Sequence, residues 1–345
     1  MSHTLKTNPA WTLASRPSGE PDEKTFALTQ HAVPVPGESQ MLLRTVYLSL
    51  DPYMRGRLAS GKSYAAPVAI GDVMVGGTVS QVEQSNIDGF APGDWVLSQG
   101  GWQSYSLSGS EGVIKLDANF AHPSYALGIL GMPGFTAFMG LSEIGKPRPG
   151  ETLVVAAATG PVGATVGQLG KLWGCKVVGV AGGEEKCRYA KETLGFDDCL
   201  DHRAADFEQQ LAAACPDGID VYFENVGGKV FDAVFPLLNT GARVPLCGLI
   251  ASYNATSLPE GPDRTPYIMM EMIKRRIQIR GFIIFDDFGD RFGEFFEKMS
   301  VLVTEGKIHY KEQIVEGLEN APAALNQVLR GENFGKMVIK VSSAA

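Results

Sequence analysis

The chain of 345 residues has no long apolar run, no paired-cysteine motif and no block of five or more basic residues. No stretch reaches the roughly 18 apolar residues a membrane-spanning helix needs, and the opening MSHTLKTNPAWTLASRPSGEP has no apolar core of a secretory signal. The sequence is therefore expected to stay in the cytoplasm, away from membranes. A formal net charge of −8 without such a basic block argues against nucleic acid as a partner. The five cysteines, Cys175, Cys187, Cys199, Cys215 and Cys247, are an odd number and form no CxxC, so neither a disulfide framework nor a zinc lobe is expected. The five histidines are scattered, without HExxH, and no metal site is expected. The nearest approach to a GxSxG elbow is SGSEG at 108–112, where Ser108 stands in place of the first glycine, which disfavours serine hydrolysis. A small molecule is the partner that remains.

What is present is apolar material for two cores, 44 % of the residues. Up to about residue 125, short alternations such as QMLLRTVYLSL and DVMVGGTVSQV are broken by Pro and Gly, the pattern of a mostly β unit. Beyond about Leu130 strand and helix patterns alternate: TLVVAA, KVVGVA, CLD, IDVYFE, ARVPLCG and IQIRGFII, with helical segments between them. That alternation predicts an α/β fold with a parallel sheet covered on both faces. After about Gly306 the tail offers one helix and a last strand, expected to return to the first unit.

The stretch AAATGPVGATVGQLGKLWG at 156–174 sits where the first of those strands meets its helix. Val162, Val166, Leu169 and Trp173 share one helical face, and Pro161 occupies a first-turn position where its missing N–H is not needed. Gly160 then lets backbone approach a ligand, Gly163 lets the helix pack closely on the sheet, and the helix N-terminus offers N–H groups to a pyrophosphate. Against GxGxxG the run has Ala158 for the first glycine, so close packing with no ligand remains an alternative.

An NAD site usually has Asp or Glu at the tip of the second strand. Here that strand ends Ala181-Gly182-Gly183, with Lys186 following and His202 and Arg203 after the third strand. Cations around a missing acid suit a 2′-phosphate, hence NADPH, although Lys186 could instead be a solvated partner of Glu184 or Glu185. The fourth strand ends at Asn225, which either faces a ligand or caps the next helix. The fifth leads to Tyr253, either a site residue or a packed aromatic.

LGMPGFTAFMGLSEIGKPRPGETLVVAAATGPVGATVGQLGK, together with TVYLSLDPYMRGRL, DVMVGGTVSQV, YFENVGGKVFDAV, CGLIASYN and GENFGKMVIKV, resembles the zinc-free leukotriene dehydrogenase and prostaglandin reductase branch of the medium-chain dehydrogenase/reductases. Within it the likeness is greatest to bacterial NADPH-dependent curcumin reductases. The resemblance covers nearly the whole chain. It implies a GroES-like, mostly β catalytic domain over 1–128, a Rossmann doubly wound sheet inserted at 129–306, and a C-terminal return over 307–345. It also implies a homodimer through the Rossmann domain and NADPH-driven reduction of a carbon–carbon double bond conjugated to a carbonyl. Carried over by position, it assigns the phosphate turn to Gly160, Pro161, Val162 and Gly163, and the 2′-phosphate to Lys186. Asn225 lies at the nicotinamide, and the ribose loop runs from Cys247 and Gly248 to Ser252 and Tyr253. Phe282 and Ile283, within IQIRGFII, are assigned to the cofactor, and Asn333 in GENFGK completes the nicotinamide side. His202 stands where mammalian members have tyrosine.

Hydride addition to the β-carbon of an enone builds negative charge on the carbonyl oxygen, which needs a hydrogen-bond donor. With no metal ligands in view, a tyrosine hydroxyl and the ribose 2′-hydroxyl are suitable, preorganised donors of this kind being worth about 3–4 kcal/mol each. Tyr253 is the first candidate; Tyr53 and Tyr64, placed on loops of the β unit facing the cleft, follow, each with a packed aromatic as the alternative. Quinone reduction on the same scaffold and NADPH binding without catalysis are the competing functions.

Overall fold

Period-two alternation in the first third of the chain becomes strands: β1 (Thr7–Leu13), β2 (Phe26–Ala32), β3 (Met41–Ser49), β4 (Thr78–Ser85), β5 (Trp95–Ser98), β6 (Tyr105–Ser108) and β7 (Ile114–Lys115), with the short helix α1 (Tyr53–Arg57) after β3. The computed structural model describes residues 7–117 and 122–344. Its contacts divide the chain into one unit of residues 1–127 with 312–345 and another of 128–311.

In the second unit α2 (Met132–Met139) leads into β8 (Thr152–Ala156), and the alternation follows: α3 (Pro161–Leu172), β9 (Lys176–Ala181), α4 (Glu184–Glu192), β10 (Asp198–Asp201), α5 (Phe207–Ala214), β11 (Ile219–Phe223), α6 (Gly228–Val234), β12 (Leu238–Leu246), α7 (Thr265–Arg275), β13 (Gln278–Gly281), α8 (Ile284–Phe288) and α9 (Phe292–Thr304). The strands pair in parallel in the order β10-β9-β8-β11-β12-β13. This is the doubly wound order of a Rossmann sheet, with its switch point between β8 and β11. Apolar runs without alternation make the central strands: every residue of β8 is buried, and Val221, Tyr222 and Phe223 of β11 are fully so. Each such aliphatic or aromatic side chain contributes about 1.5–3 kcal/mol of burial.

Helix α3 lies close against this sheet because its glycines leave no room for anything else. A Cβ on Gly163 would stand 2.2 Å from the Ala157 carbonyl oxygen, and one on Gly167 would stand 1.9 Å from the Phe196 ring. The expectation for Gly163 is thus refined: it makes room for the turn's own backbone, while Gly167 serves the packing. The sixth strand is shorter than IQIRGFII suggests. Asp287 accepts the Ile283 N–H at 2.9 Å and starts α8 there, so Phe282 turns inward, edge-on to Phe223 and Phe288.

The tail, read as one helix and one strand, has a second strand: β14 (Glu312–Glu316), α10 (Ala321–Leu329) and β15 (Lys336–Lys340). Parallel pairing with β15 hides β14 from a reading by alternation. β15 pairs antiparallel with β3, giving a sheet in the order β14-β15-β3-β4-β5-β7, with β6 on the other stretch of β3.

Candidate active site

At the C-terminal end of β8 the chain enters its turn through Ala157, a non-glycine residue in the left-handed region at φ 53°. Held backbone strain of this kind costs about 1–3 kcal/mol and clusters at ligand sites. The Ala157 carbonyl accepts the Gly160 N–H at 2.9 Å; Gly160 is extended, and Pro161 opens α3 with no side chain capping it. The first-turn N–H groups of Val162 and Gly163 have no carbonyl partner inside the helix, and both residues border the open end of the sheet.

At the tip of β9 the side chains after β10 fold back over Gly182. A Cβ there would lie 3.1 Å from His202 Nε2 and 3.2 Å from Arg203 Nη2. Burial and the Arg203 charge hold the His202 imidazole below its usual range, and half-buried Lys186 adds to this. Asp201, the acid that ends β10, is occupied: burial would raise its carboxyl, but N–H groups of Arg203 and Gly183 outweigh that and hold it low. The corner is cationic, with its carboxylate turned to backbone.

At the switch point Asn225 does not cap α6, whose N-cap is Gly227. Its Nδ2 donates to the Ala156 carbonyl at 2.8 Å, which ties the ends of β11 and β8. Glu224 beside it is fully buried; its Oε1 accepts the N–H groups of Val226 at 2.6 Å and Gly227 at 2.9 Å. Its carbonyl accepts the N–H groups of Cys247 at 3.0 Å and Gly248 at 3.2 Å. Its other oxygen, Oε2, and the Tyr222 hydroxyl are buried without a hydrogen bond of ordinary geometry. Burial raises the Glu224 carboxyl, and burial followed by the Glu224 charge pushes the Cys247 thiol up to about 12.

From Gly248 a single 3-10 turn, Ile250–Ser252, brings the chain to Tyr253. The half-buried Tyr253 ring folds back so that its hydroxyl would stand 2.9 Å from a Cβ on Gly248. Ser252 is exposed, its N–H on the Leu249 carbonyl. The Phe282 side chain packs into the core, where Gly140 makes room for it.

In the other unit Tyr53 is the first residue of α1, not a loop residue, and burial raises its phenol, with Asp51 and Tyr64 among the groups that act on it. Tyr64 is 54 % exposed. Asn333 Nδ2 donates to the Gly335 carbonyl at 2.8 Å. Two residues further back from Tyr53, Asp51 meets Lys336 in a buried ion pair of 2.8 Å. Lys336 also donates to the Leu50 carbonyl at 2.7 Å, and Ser49 donates to the second Asp51 oxygen.

Residues 9–116 match the model of the N-terminal domain of oxidoreductases, and residues 161–302 match that of the zinc-binding dehydrogenases. The NADPH-dependent curcumin reductase of Escherichia coli is 61 % identical over 342 residues, 99 % of each chain, and prostaglandin reductase 1 of Bos taurus is 38 % identical over 335 residues, 96 % of this chain and 98 % of its own. The chain belongs to the prostaglandin reductase branch of the medium-chain dehydrogenase/reductases. The crystal structure of CurA in complex with NADPH from Vibrio vulnificus superimposes with a TM-score of 0.95 at 62 % identity, over 97 % of this chain and 99 % of that one.

Although the family model for the dinucleotide domain is described as zinc-binding, no three His, Cys, Asp or Glu side chains gather as a metal centre would require among the described residues of this medium-chain reductase. Two of its site features had no sequence signal singling them out. Glu224 reads as any acid ending a strand, and only its burial and five hydrogen bonds mark it. Arg203 read as one of several cations, and its place over Gly182 depends on the turn after β10.

Proposed function

We propose that this protein uses NADPH to reduce the carbon–carbon double bond of α,β-unsaturated ketones and aldehydes, curcumin-like enones among them, without zinc. The observation that carries this reading is the Tyr253 hydroxyl folded back over Gly248 at the end of β12, in the sheet that ends in the Gly160 turn and Asn225. The relatives' names, curcumin reductase and prostaglandin reductase, point the same way.

The residues fit the cofactor. His202 and Arg203 stand over the bare backbone of Gly182, Lys186 acts on His202, and Asp201 is committed to N–H groups, so a 2′-phosphate meets cations there. Gly160, Pro161, Val162 and Gly163 present the uncapped start of α3 to the pyrophosphate. Asn225 has its Nδ2 on Ala156 and acts toward the nicotinamide through its Oδ1. Cys247, Gly248 and Ser252 form the wall beside the ribose, with the backbone of Phe282 and Ile283 at the next strand end. Asn333 is assigned to the nicotinamide by the family resemblance. When bound, NADPH supplies the hydride that reaches the β-carbon. Tyr253 donates a hydrogen bond to the carbonyl oxygen and stabilises it as negative charge gathers there. Tyr64 and Tyr53 are assigned to the substrate side, the exposed Tyr64 as the more available donor.

With deuterated NADPH and a short enone, the label is expected on the β-carbon of a saturated ketone, with one solvent proton on the α-carbon. Label on the carbonyl carbon with an allylic alcohol as product overturns the reading, as does turnover of quinones but no enone.

Replacing Lys186 by alanine is expected to raise the KM for NADPH about tenfold or more while leaving that for NADH nearly unchanged, since each 1.4 kcal/mol of lost charge-assisted contact is worth about tenfold. Steady-state titration of both cofactors checks this, and equal losses for the two contradict it.

The same reading makes the protein a cytoplasmic homodimer, joined through the Rossmann unit. Its support is the outer strand β13, exposed at three of its four residues, and helix α7, which buries none of its residues and exposes Met269, Met270 and Ile273. An unpaired edge beside an apolar helix face is what a second copy would cover.

A further inference from the structure

We propose that Glu224 is a positioning residue for the reduction: through its two pairs of backbone hydrogen bonds it fixes where Asn225 and Tyr253 stand. This rests on the assignment of those two residues to the reacting end of the site. Residue 224 lies where three strand ends meet. Its N–H donates to the Pro245 carbonyl at 3.0 Å, and its carbonyl accepts from Cys247 and Gly248, so β11 is locked to the end of β12. Its side chain turns the other way along its own strand and holds the N–H groups of Val226 and Gly227. Those residues form the turn from which the Ala251 N–H takes its bond, to the Val226 carbonyl at 3.0 Å, while Ile250 bonds the Asn225 carbonyl at 3.2 Å. The 3-10 turn that delivers Tyr253 is thus hung on Val226, which the Glu224 carboxylate holds, and on Asn225 next to it. Asn225, between the two, extends the lock to β8 through Ala156.

A glutamate is not needed to fill this space. Its neighbours Tyr222 and Cys247 offer no cation, and a buried carboxylate whose second oxygen faces only the Tyr222 hydroxyl is costly. What a shorter or apolar side chain cannot do is accept two N–H groups that lie past the end of the strand. Losing that acceptor frees the 225–228 turn and, with it, the seat of the Tyr253 segment. A shift of about 1 Å in a positioned group can lower a rate by about a hundredfold.

The test compares Glu224→Ala, Glu224→Asp and Glu224→Gln, each also in a Tyr253→Phe background, by kcat and KM for NADPH. The 2′-phosphate corner lies at the β9 tip, away from Glu224, so KM for NADPH is expected to stay within about threefold while kcat falls about tenfold or more in the Ala and Asp variants. Gln keeps an acceptor for both N–H groups and places its Nε2 beside the Tyr222 hydroxyl, so it is expected to retain kcat within about threefold. If Ala fails to fold, Asp keeps the comparison, since its carboxylate falls one methylene short. Because Glu224 acts through Tyr253, its loss is expected to be markedly smaller once the hydroxyl is gone. Unchanged kcat in the Ala and Asp variants, a Gln variant as impaired as they are, or fully additive losses overturn the proposal. A Tyr253→Phe enzyme with normal kcat fails the assignment of Tyr253 itself, and is read separately from the Glu224 variants on the wild-type background.

Discussion

Tyr253→Phe is expected to lower kcat for enone reduction by about a hundredfold or more, the usual effect of deleting one preorganised donor to a developing oxyanion, with KM for NADPH changed far less. The loss should be largest for substrates whose carbonyl carries the full developing charge and smaller for activated ones that need less help. The ring itself stays in place in this variant, so what is removed is the hydroxyl alone. Gly248→Ala supplies an independent check, because its methyl would stand 2.9 Å from that hydroxyl and must push the ring aside. Steady-state rates over a panel of enones measure both. If Tyr253→Phe reduces every enone at the normal rate, the donor lies elsewhere, and Tyr64 becomes the residue to change.

Lys336→Met is expected to destabilise the β-rich unit by about 3–5 kcal/mol, the usual cost of leaving a buried charge without its partner. Lys336 and Asp51 are 1 % and 6 % exposed, and the Leu50 carbonyl loses a donor in the same change. Changing Asp51 to Leu at the same time should recover much of the loss, since a buried pair often yields little net stability over apolar residues of similar size. Denaturant midpoints of the two variants and the parent, compared at equal slope, read the difference. A single-variant loss below about 1 kcal/mol would show that water reaches Asp51 when the lysine is gone.

The alternation of apolar runs with amphipathic segments from Leu130 onward made the parallel sheet legible, because burial on both faces imposes that pattern on every strand. The glycines of 160–170 were legible for the same reason: close approach excludes every side chain. Legibility stopped where a contact joins distant stretches. Asp51 and Lys336 are 285 residues apart, and neither LSLDPYMRGRL nor GENFGKMVIKV announces the other. Asn225 could be read as a cap or a ligand group, and the structure gives it a third task on Ala156, which depends on strand order. Tyr53, expected on a loop of the β unit, instead opens five residues of helix with Pro52 as the N-cap. IQIRGFII reads as one strand through Phe282, yet the Ile283 N–H donates to the Asp287 carboxylate and the strand ends at Gly281.

The pairing of β15 with β3 has a consequence for how the chain is made. β3 is synthesised early, but the stretch Tyr47–Ser49 waits for Val338–Lys340 before that edge is covered. At about 5–20 residues per second, the ribosome needs on the order of ten to sixty seconds to bridge that gap. The Rossmann segment is continuous and emerges whole within that interval, so it has everything required to fold first. The nascent β-rich segment meanwhile carries an open strand edge and an Asp51 without its lysine, features that invite pairing with a neighbouring chain. Truncation of even the last ten residues before release would therefore leave the first unit, rather than the cofactor-binding one, as the part that chaperones and proteases attend to.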